Sequence, residues 1–120
     1  MTAQKQRLSI VLGELKADYL KKMPGKIATL KSLTEAQSWQ ALEDEYHKLK
    51  GTGKTYGFPE ISIVCEKLEF LVQQKHHQTV ELFTGANDLL EKMHQCYLKQ
   101  EPIHLEEDSF ARSLLALKLK

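Results

Sequence analysis

"HKLKGTGKTYG", residues 47–57, admits two folds. As a loop, its Gly53-Lys54-Thr55 closes a nucleotide-binding P-loop and demands an α/β domain. As a helix, it carries a histidine in mid-span and demands an all-α chain. The loop reading fails on spacing. G-x-x-x-x-G-K-[ST] requires glycine at position 48, and that residue is Lys48. The preceding "ALEDEYHKL" is acidic and helically spaced, so no buried strand leads into the triplet. No later apolar run ends in an aspartate to hold magnesium.

As a helix the stretch sorts cleanly. With Leu42 at zero and about 100° per residue, Tyr46, Leu49, Gly53 and Tyr56 fall within about 40° of it. They define a core face. His47 lands at about 140°, Lys54 at about 120°, Gly51 at about 180° and Lys50 at about 80°. His47 therefore faces solvent, with Lys50 and Gly51 beside it at i+3 and i+4. Gly51 opens space one turn from the imidazole. Lys50 and Lys54 supply positive charge where a phosphoryl group on the ring would sit. Glu43 and Asp44, one turn earlier, offset that field. Two glycines inside one helix each cost about 1 kcal/mol relative to alanine, which points to close approach. The plainer alternative is a surface histidine near a fraying helix end.

The rest of the chain also reads at helical period. Leu8, Leu12, Leu15 and Tyr19 form one stripe, followed by Ile27, Leu30 and Leu33. Pro24-Gly25 is expected to kink or divide this segment. Thr34 or Ser38 is the expected cap of the next helix. Gly57 ends that helix and Pro59 opens another, striped by Ile61, Cys65, Leu68 and Val72. A fourth runs from about Thr79 to Leu98 with Val80, Phe83, Leu90, Met93 and Tyr97. A last segment, 108–119, places Phe110, Leu114 and Leu117 together. "SIVC" at 62–65 passes for strand only out of context. The predicted fold is all-α, an up-and-down antiparallel four-helix bundle with additional terminal helices. Its core spans about 35–100, with N-terminal helices over about 4–33 and a C-terminal helix over about 108–119.

The 120 residues make one domain. Hydrophobic content of 42% supports one core, and 28% charge a solvated surface. No stretch approaches the roughly 20 apolar residues of a membrane span, and no signal peptide is read. Cys65 and Cys96 fall on apolar faces, as free thiols of a cytoplasmic protein would. A net charge of +1 implies no nucleic-acid partner. Local excesses, such as Lys48, Lys50 and Lys54 around His47, suit a protein partner. Met1 and the polar ending "LKLK" fit a free-standing protein, expected to be a monomer.

"HKLKG", His47–Gly51, resembles the H-x-L-K-G signature of histidine-containing phosphotransfer (HPt) domains. The match continues through "TGKTYGFPEIS" to "CEKLE", His47–Glu69 in all, where the family carries a glycine turn, a second helix and a late Leu-Glu. Tyr56-Gly57-Phe58-Pro59-Glu60 is similar to a bacterial branch. The resemblance implies a four-helix bundle with the active histidine exposed halfway along one helix. His47 would accept a phosphoryl group from a receiver aspartate or a sensor kinase and pass it to another receiver. Lys50 would steady the phosphoryl oxygens, and Gly51 would admit the receiver loop. Lys48, Lys54, Glu43 and Asp44 would face the partner. The family has no nucleotide site or cofactor of its own, is a carrier rather than an enzyme, and leaves magnesium to the receiver. Two departures bear on partner identity: Tyr46 replaces a common small residue, and Thr52-Gly53 replaces Ser-Ala or Ser-Ser.

The other histidines offer little. His76 and His77 would point about 100° apart on a helix and rarely share a metal. His94 follows Leu90 by four residues, as a partly buried side chain would. The rival function is a helical scaffold that binds signalling partners without phosphoryl transfer. Such a chain has no need of His47 or Lys50, and both are present.

Overall fold

The computed structural model describes the backbone of residues 2–117 and the side chains of residues 6–117. Five helices follow in order: α1 Thr2–Glu35, α2 Trp39–Tyr56, α3 Pro59–Val72, α4 Val80–Leu98 and α5 Ser109–Ala116. Single 3-10 turns lie at Lys75–His77 and Leu105–Glu107. No strand occurs among the described residues. α1 packs on α2 and α4, and α3 packs on the same two helices. The four make an up-and-down antiparallel ring around Leu30, Leu42, Tyr46, Ile61, Leu68 and Phe83, all fully buried.

Of the two expected outcomes, a kink or a division, the division does not occur: Pro24 lies inside one continuous helix. A proline inside a helix leaves the carbonyl four residues earlier without its donor, and its ring crowds that carbonyl. The carbonyl in question is that of Leu20. The buried His94 of α4 donates to it from Nε2 at 2.8 Å. Since a carbonyl only accepts, Nε2 carries the proton. His94 is thus a structural donor that supplies from outside the bond Pro24 cannot make.

The start of α1 also departs from the expected pattern. Tyr19, Met23, Ile27 and Leu30 are buried, but Leu8, Leu12 and Leu15 are exposed. The helix is longer than the bundle, and its first half runs past the other helices. The packed core therefore reaches back to Tyr19 rather than beginning near residue 35. α1 itself supplies the fourth bundle helix. Its end is set by Gln37 at φ 54°, with Ser38 occupying the N-cap position of α2 without a side-chain bond.

Thr34 is not a cap. It lies buried inside α1, where its hydroxyl donates to the Leu30 carbonyl at 2.8 Å and accepts from Asn87 Nδ2 at 3.0 Å. Asn87 Oδ1 in turn accepts from the Tyr46 hydroxyl at 2.6 Å. One chain of hydrogen bonds thus joins α1, α4 and α2 in the interior, with no member left unsatisfied. Burial pushes the Tyr46 hydroxyl well above its ordinary pKa, so it remains a donor.

The α2–α3 turn and the C-terminal segment follow the sequence more closely. Gly57 adopts φ 84°, and its N–H caps the Gly53 carbonyl, as does that of Phe58. Pro59 stands at the first position of α3. Thr79 caps α4 by accepting from Leu82 N–H, and Asp108 caps α5 by accepting from Ala111 N–H. α5 packs on α3 and α4, burying Ala111 and Leu114. The Phe110 ring occupies the space over Gly85, where a Cβ would come within 2.6 Å of it. Leu117 ends α5, and the expected extension to residue 119 lies outside the described residues. Cys65 is buried as expected, whereas Cys96 is only partly so. No helix among the described residues is long and apolar enough to cross a membrane.

His94→Leu removes the donor for Leu20 and is expected to lower stability by about 1–3 kcal/mol in urea unfolding. In a Pro24→Ala background, the alanine N–H restores the intrahelical bond, and the loss should shrink to a small fraction. An equal loss in both backgrounds would disconnect His94 from the proline.

Candidate functional site

The site lies midway along α2, where its outer face meets α3. Close approach of the two helices begins at Gly53. A Cβ there would stand 3.2 Å from Ile61 Cγ2, 3.2 Å from the Phe58 carbonyl oxygen and 3.3 Å from Ser62 N. These are tighter than ordinary contacts, and two of them are backbone. Glycine at 53 therefore lets α3 lie against α2. Gly51 serves differently: it is exposed, and a Cβ there would meet nothing within 4 Å. Of the two glycines, one faces the neighbouring helix and the other leaves open surface.

Leu42, Tyr46, Leu49 and Gly53 are buried as the helical geometry requires, and Tyr56 is half-buried. His47 consequently points outward, its side chain 67% exposed. Its ring is not free to turn. Nδ1 lies 2.7 Å from Glu69 Oε2 and 3.2 Å from Oε1. Lys50 Nζ donates to the same carboxylate, at 3.1 Å from Oε1. Glu69 comes from α3 and is only 11% exposed, while Lys50 is 29% exposed. A carboxylate so placed needs partners, because burial disfavours its charged form. Burial raises the Glu69 pKa, but hydrogen bonds from His47 and Lys50 outweigh that and hold the carboxyl below its usual range.

An ionised carboxylate has no proton to give, so the His47–Glu69 bond runs from Nδ1–H to oxygen. In the neutral ring the unprotonated nitrogen is then Nε2, on the solvent side. One buried acid thus orients the imidazole, selects its tautomer and tethers an ammonium beside it.

The sequence singled out Glu69 only as part of a Leu-Glu signature and gave it no role. Its helical position carried a usable signal. Counting from Cys65, Glu69 lies at about +40°, on the edge of the stripe formed by Ile61, Leu68 and Val72. An acid on the margin of an apolar face implies a basic partner on the adjoining helix. Glu43 and Asp44 do not meet the imidazole: Glu43 accepts from Gln73 Nε2 at 2.9 Å, and Asp44 from Gln40 Nε2 at 3.2 Å. Lys48 faces Glu45 at 3.7 Å on the solvent side, and Lys54 is exposed in the last turn of α2. The His47 neighbourhood therefore comprises Lys50, Gly51 and Glu69, with the remaining charges around it.

The other histidines are elsewhere. His76 and His77 lie beyond the end of α3 with ring centroids 4.1 Å apart and planes tilted by 46°, and His104 lies 3.7 Å from Glu106. Among the described residues, no group of three or more histidine, cysteine, aspartate or glutamate side chains is placed to hold a metal ion.

Because the Glu69 pKa is lower in the folded chain than in the unfolded one, its contribution to stability is complete above the ordinary glutamate value of 4.5. Below that value the unfolded chain takes up the proton first, and the contribution declines until the folded carboxyl also titrates. Wild type should therefore exceed Glu69→Gln in urea-unfolding stability near neutrality, with the gap narrowing as pH falls through the acid range. A gap independent of pH would show that the Glu69 charge is not what stabilises the site.

The family model for the Hpt domain matches residues 14–107, which takes in α2, α3, α4 and all of α1 beyond its first turns. No curated protein and no solved structure matches the chain. Hpt domains are phosphocarriers that act in phosphorelays through a histidine, in company with receiver domains and histidine kinases. With an all-helical bundle, an outward-facing histidine in "HKLKG" and a family match over most of its length, the chain belongs to the Hpt domain family.

Proposed function

We propose that His47 is the phosphoryl acceptor and donor of a two-component phosphorelay. The observation that carries this reading is the bond from Nδ1 to Glu69 beneath a largely exposed ring. A histidine that receives a phosphoryl group needs one nitrogen with a lone pair open to the donor and the other held as N–H. In this reading Nε2 attacks the phosphorus of a receiver aspartyl phosphate or of a kinase phosphohistidine. The new N–P bond forms as the P–O or P–N bond to the donor breaks, and the donor side chain leaves as carboxylate or imidazole. The ring gains positive charge while its Nδ1–H stays on Glu69, whose negative charge offsets it. Transfer onward reverses these steps at a second receiver aspartate, and no proton need be exchanged.

Lys50 has two available partners in this scheme. Before transfer its ammonium rests on Glu69, and after transfer it lies one turn from the new phosphoryl oxygens. Gly51 leaves room for the incoming receiver loop. Lys48, Lys54, Glu43 and Asp44 would contribute the charged rim that selects the partner and affects its arrival rate more than the chemistry. The cytoplasm, where receivers meet their donors, is the proposed site of exchange. The alternative, a scaffold that binds signalling partners without phosphoryl transfer, does not account for a buried acid that holds the imidazole in one tautomer.

His47→Gln is expected to abolish acceptance from phosphorylated receivers and kinases while the circular dichroism stays that of the wild type. Acid-labile, base-stable label on a correctly folded His47→Gln variant would move the acceptor elsewhere. In the labelled wild type, phosphorus–nitrogen couplings by NMR should place the phosphoryl group on Nε2. Attachment at Nδ1 would contradict the role given to Glu69. Lys50→Ala should slow transfer or shorten the phosphohistidine lifetime by the equivalent of one charge-assisted bond, about 1.5–3 kcal/mol.

A further inference from the structure

Beyond the first half of α1, the described residues expose three large apolar side chains: Ile63 at 48%, Phe70 at 41% and Leu98 at 52%. Two of the three stand on α3. Neither belongs to the core cluster or to the side chains packed against it. Their direction follows from the bonds of their neighbours. With Cys65 at zero, Glu69 and Gln73 lie at about 40° and about 80°, and both bond to α2. Lys67, at about −160°, reaches the other way to the Leu117 carbonyl at the end of α5. Phe70 and Ile63, at about 140° and about 160°, point outward on the flank next to α2. His47 points outward on the matching flank of α2, at about 140° from its own core face. The three side chains therefore share one face of the α2–α3 pair.

The same bonds fix the register. His47 meets Glu69 and Glu43 meets Gln73, so the helices run antiparallel with His47 level with Glu69. Phe70 is then about 1.5 Å along α3 from that level, and Ile63 about 9 Å. With the helix axes about 8–10 Å apart, Phe70 lies about 9 Å from the His47 position and Ile63 about 13 Å. A standard interface covers about 800 Å² of each partner, a disc of about 16 Å radius. Centred on His47, such a disc takes in both side chains. It stops short of Leu8 and Leu12. Lys16 Nζ stands 3.1 Å from where a Gly57 Cβ would be, about 15 Å along α2 from His47, and the two leucines lie a turn or more farther on. Leu98 is at the end of α4, the helix diagonal to α2. The other flank of α2 offers no apolar surface. There Lys48 faces Glu45, and Lys22 of α1 pairs with Asp18. Between residues 19 and 35, α1 exposes no large apolar side chain.

The reaction identifies the occupant, and this step rests on the phosphotransfer reading of His47. Whichever donor loads the ring, the onward acceptor in that reading is a receiver aspartate. Aspartate and histidine are both short side chains, and the phosphorus must come within bond-forming reach of each. The receiver surface around its aspartate is therefore pressed onto the surface around His47. We propose that Phe70 and Ile63 are the apolar anchors for the receiver domain, so that its footprint extends from His47 across α3 rather than across α1. The matching patch on the receiver is apolar and adjoins its aspartate. Docking removes both patches from water. The anchors set affinity and partner choice without touching the reacting atoms.

Transfer to the full chain from a receiver domain of the source organism, loaded with acetyl phosphate and supplied at rising concentration, tests this. Phe70→Gln and Ile63→Gln alter exposed positions and keep a good helix former in each. Each should raise the half-saturating receiver concentration by about tenfold, with a smaller effect on the rate at saturation. Leu98→Gln, outside the footprint, should leave both unchanged. Phosphoramidate, a small donor that needs no docking surface, reports on the imidazole alone. If its labelling falls as far as labelling by the receiver, the effect lies in the site and the inference is overturned. An unchanged half-saturating concentration in both variants would overturn it too. Self-association that Phe70→Gln abolishes, with receiver dependence intact, would give the face to a second copy instead. A defect confined to transfer from a sensor kinase would give it to the kinase. A wild type labelled at His47 by phosphoramidate but by no receiver would overturn the docking surface and leave the acceptor role standing. One labelled by neither would remove both.

Discussion

The distance between α2 and α3 is the constraint on which the site depends. Glycine at position 53 permits a backbone approach that any side chain would widen, since two of the three atoms facing it belong to backbone. That approach brings Glu69 of α3 under His47 and Lys50 of α2. The carboxylate sits on the margin of the core, where water solvates it poorly, so its two basic partners become structural necessities as well as chemical groups. Packing, electrostatics and imidazole orientation are here three aspects of one contact.

Much of this was legible in the residues. The helical spacing of Leu42, Tyr46, Leu49 and Gly53 placed His47 outward, and Gly57-Phe58-Pro59 marked the turn between α2 and α3. These are local patterns, set by 3.6-residue periodicity and by backbone preferences that act within a few positions. What was not legible involved residues far apart in sequence. His94 meets Leu20 across the bundle, and Asn87 joins Thr34 to Tyr46. Pro24 is a strong helix breaker in isolation, and only the three-dimensional arrangement shows the donor that accommodates it. Leu8, Leu12 and Leu15 have the right spacing for a core face. Spacing alone does not reveal that no helix of the same chain lies opposite.

The site was legible in the same uneven way. His47, Lys50 and Gly51 belong to one turn and a half of α2, and their proximity follows from helix geometry. Glu69 stands 22 positions later on another helix, and its reach to His47 depends on how closely the two helices pack. The charged residues Glu43 and Asp44 show the converse case. They lie within a turn of His47, yet their hydrogen bonds go to Gln73 and Gln40. Nearness along a helix determines which face a residue occupies, and it does not determine its partner.

The buried chain from Tyr46 through Asn87 to Thr34 has a consequence for how the molecule assembles. The α2–α3 hairpin is joined by a tight turn and closes at little entropic expense, so it is the natural early element of folding. The three polar groups, by contrast, come from α1, α2 and α4, and no two helices alone satisfy all of them. A collapsed state with α4 displaced or rotated would bury hydroxyl and amide groups without partners. The network closes only when all three helices stand in their final positions, so it favours the native docking over a rotated or displaced one. The residue that begins this network, Tyr46, is the immediate neighbour of His47. Completion of the fold and presentation of the imidazole are thus coupled within a single peptide unit.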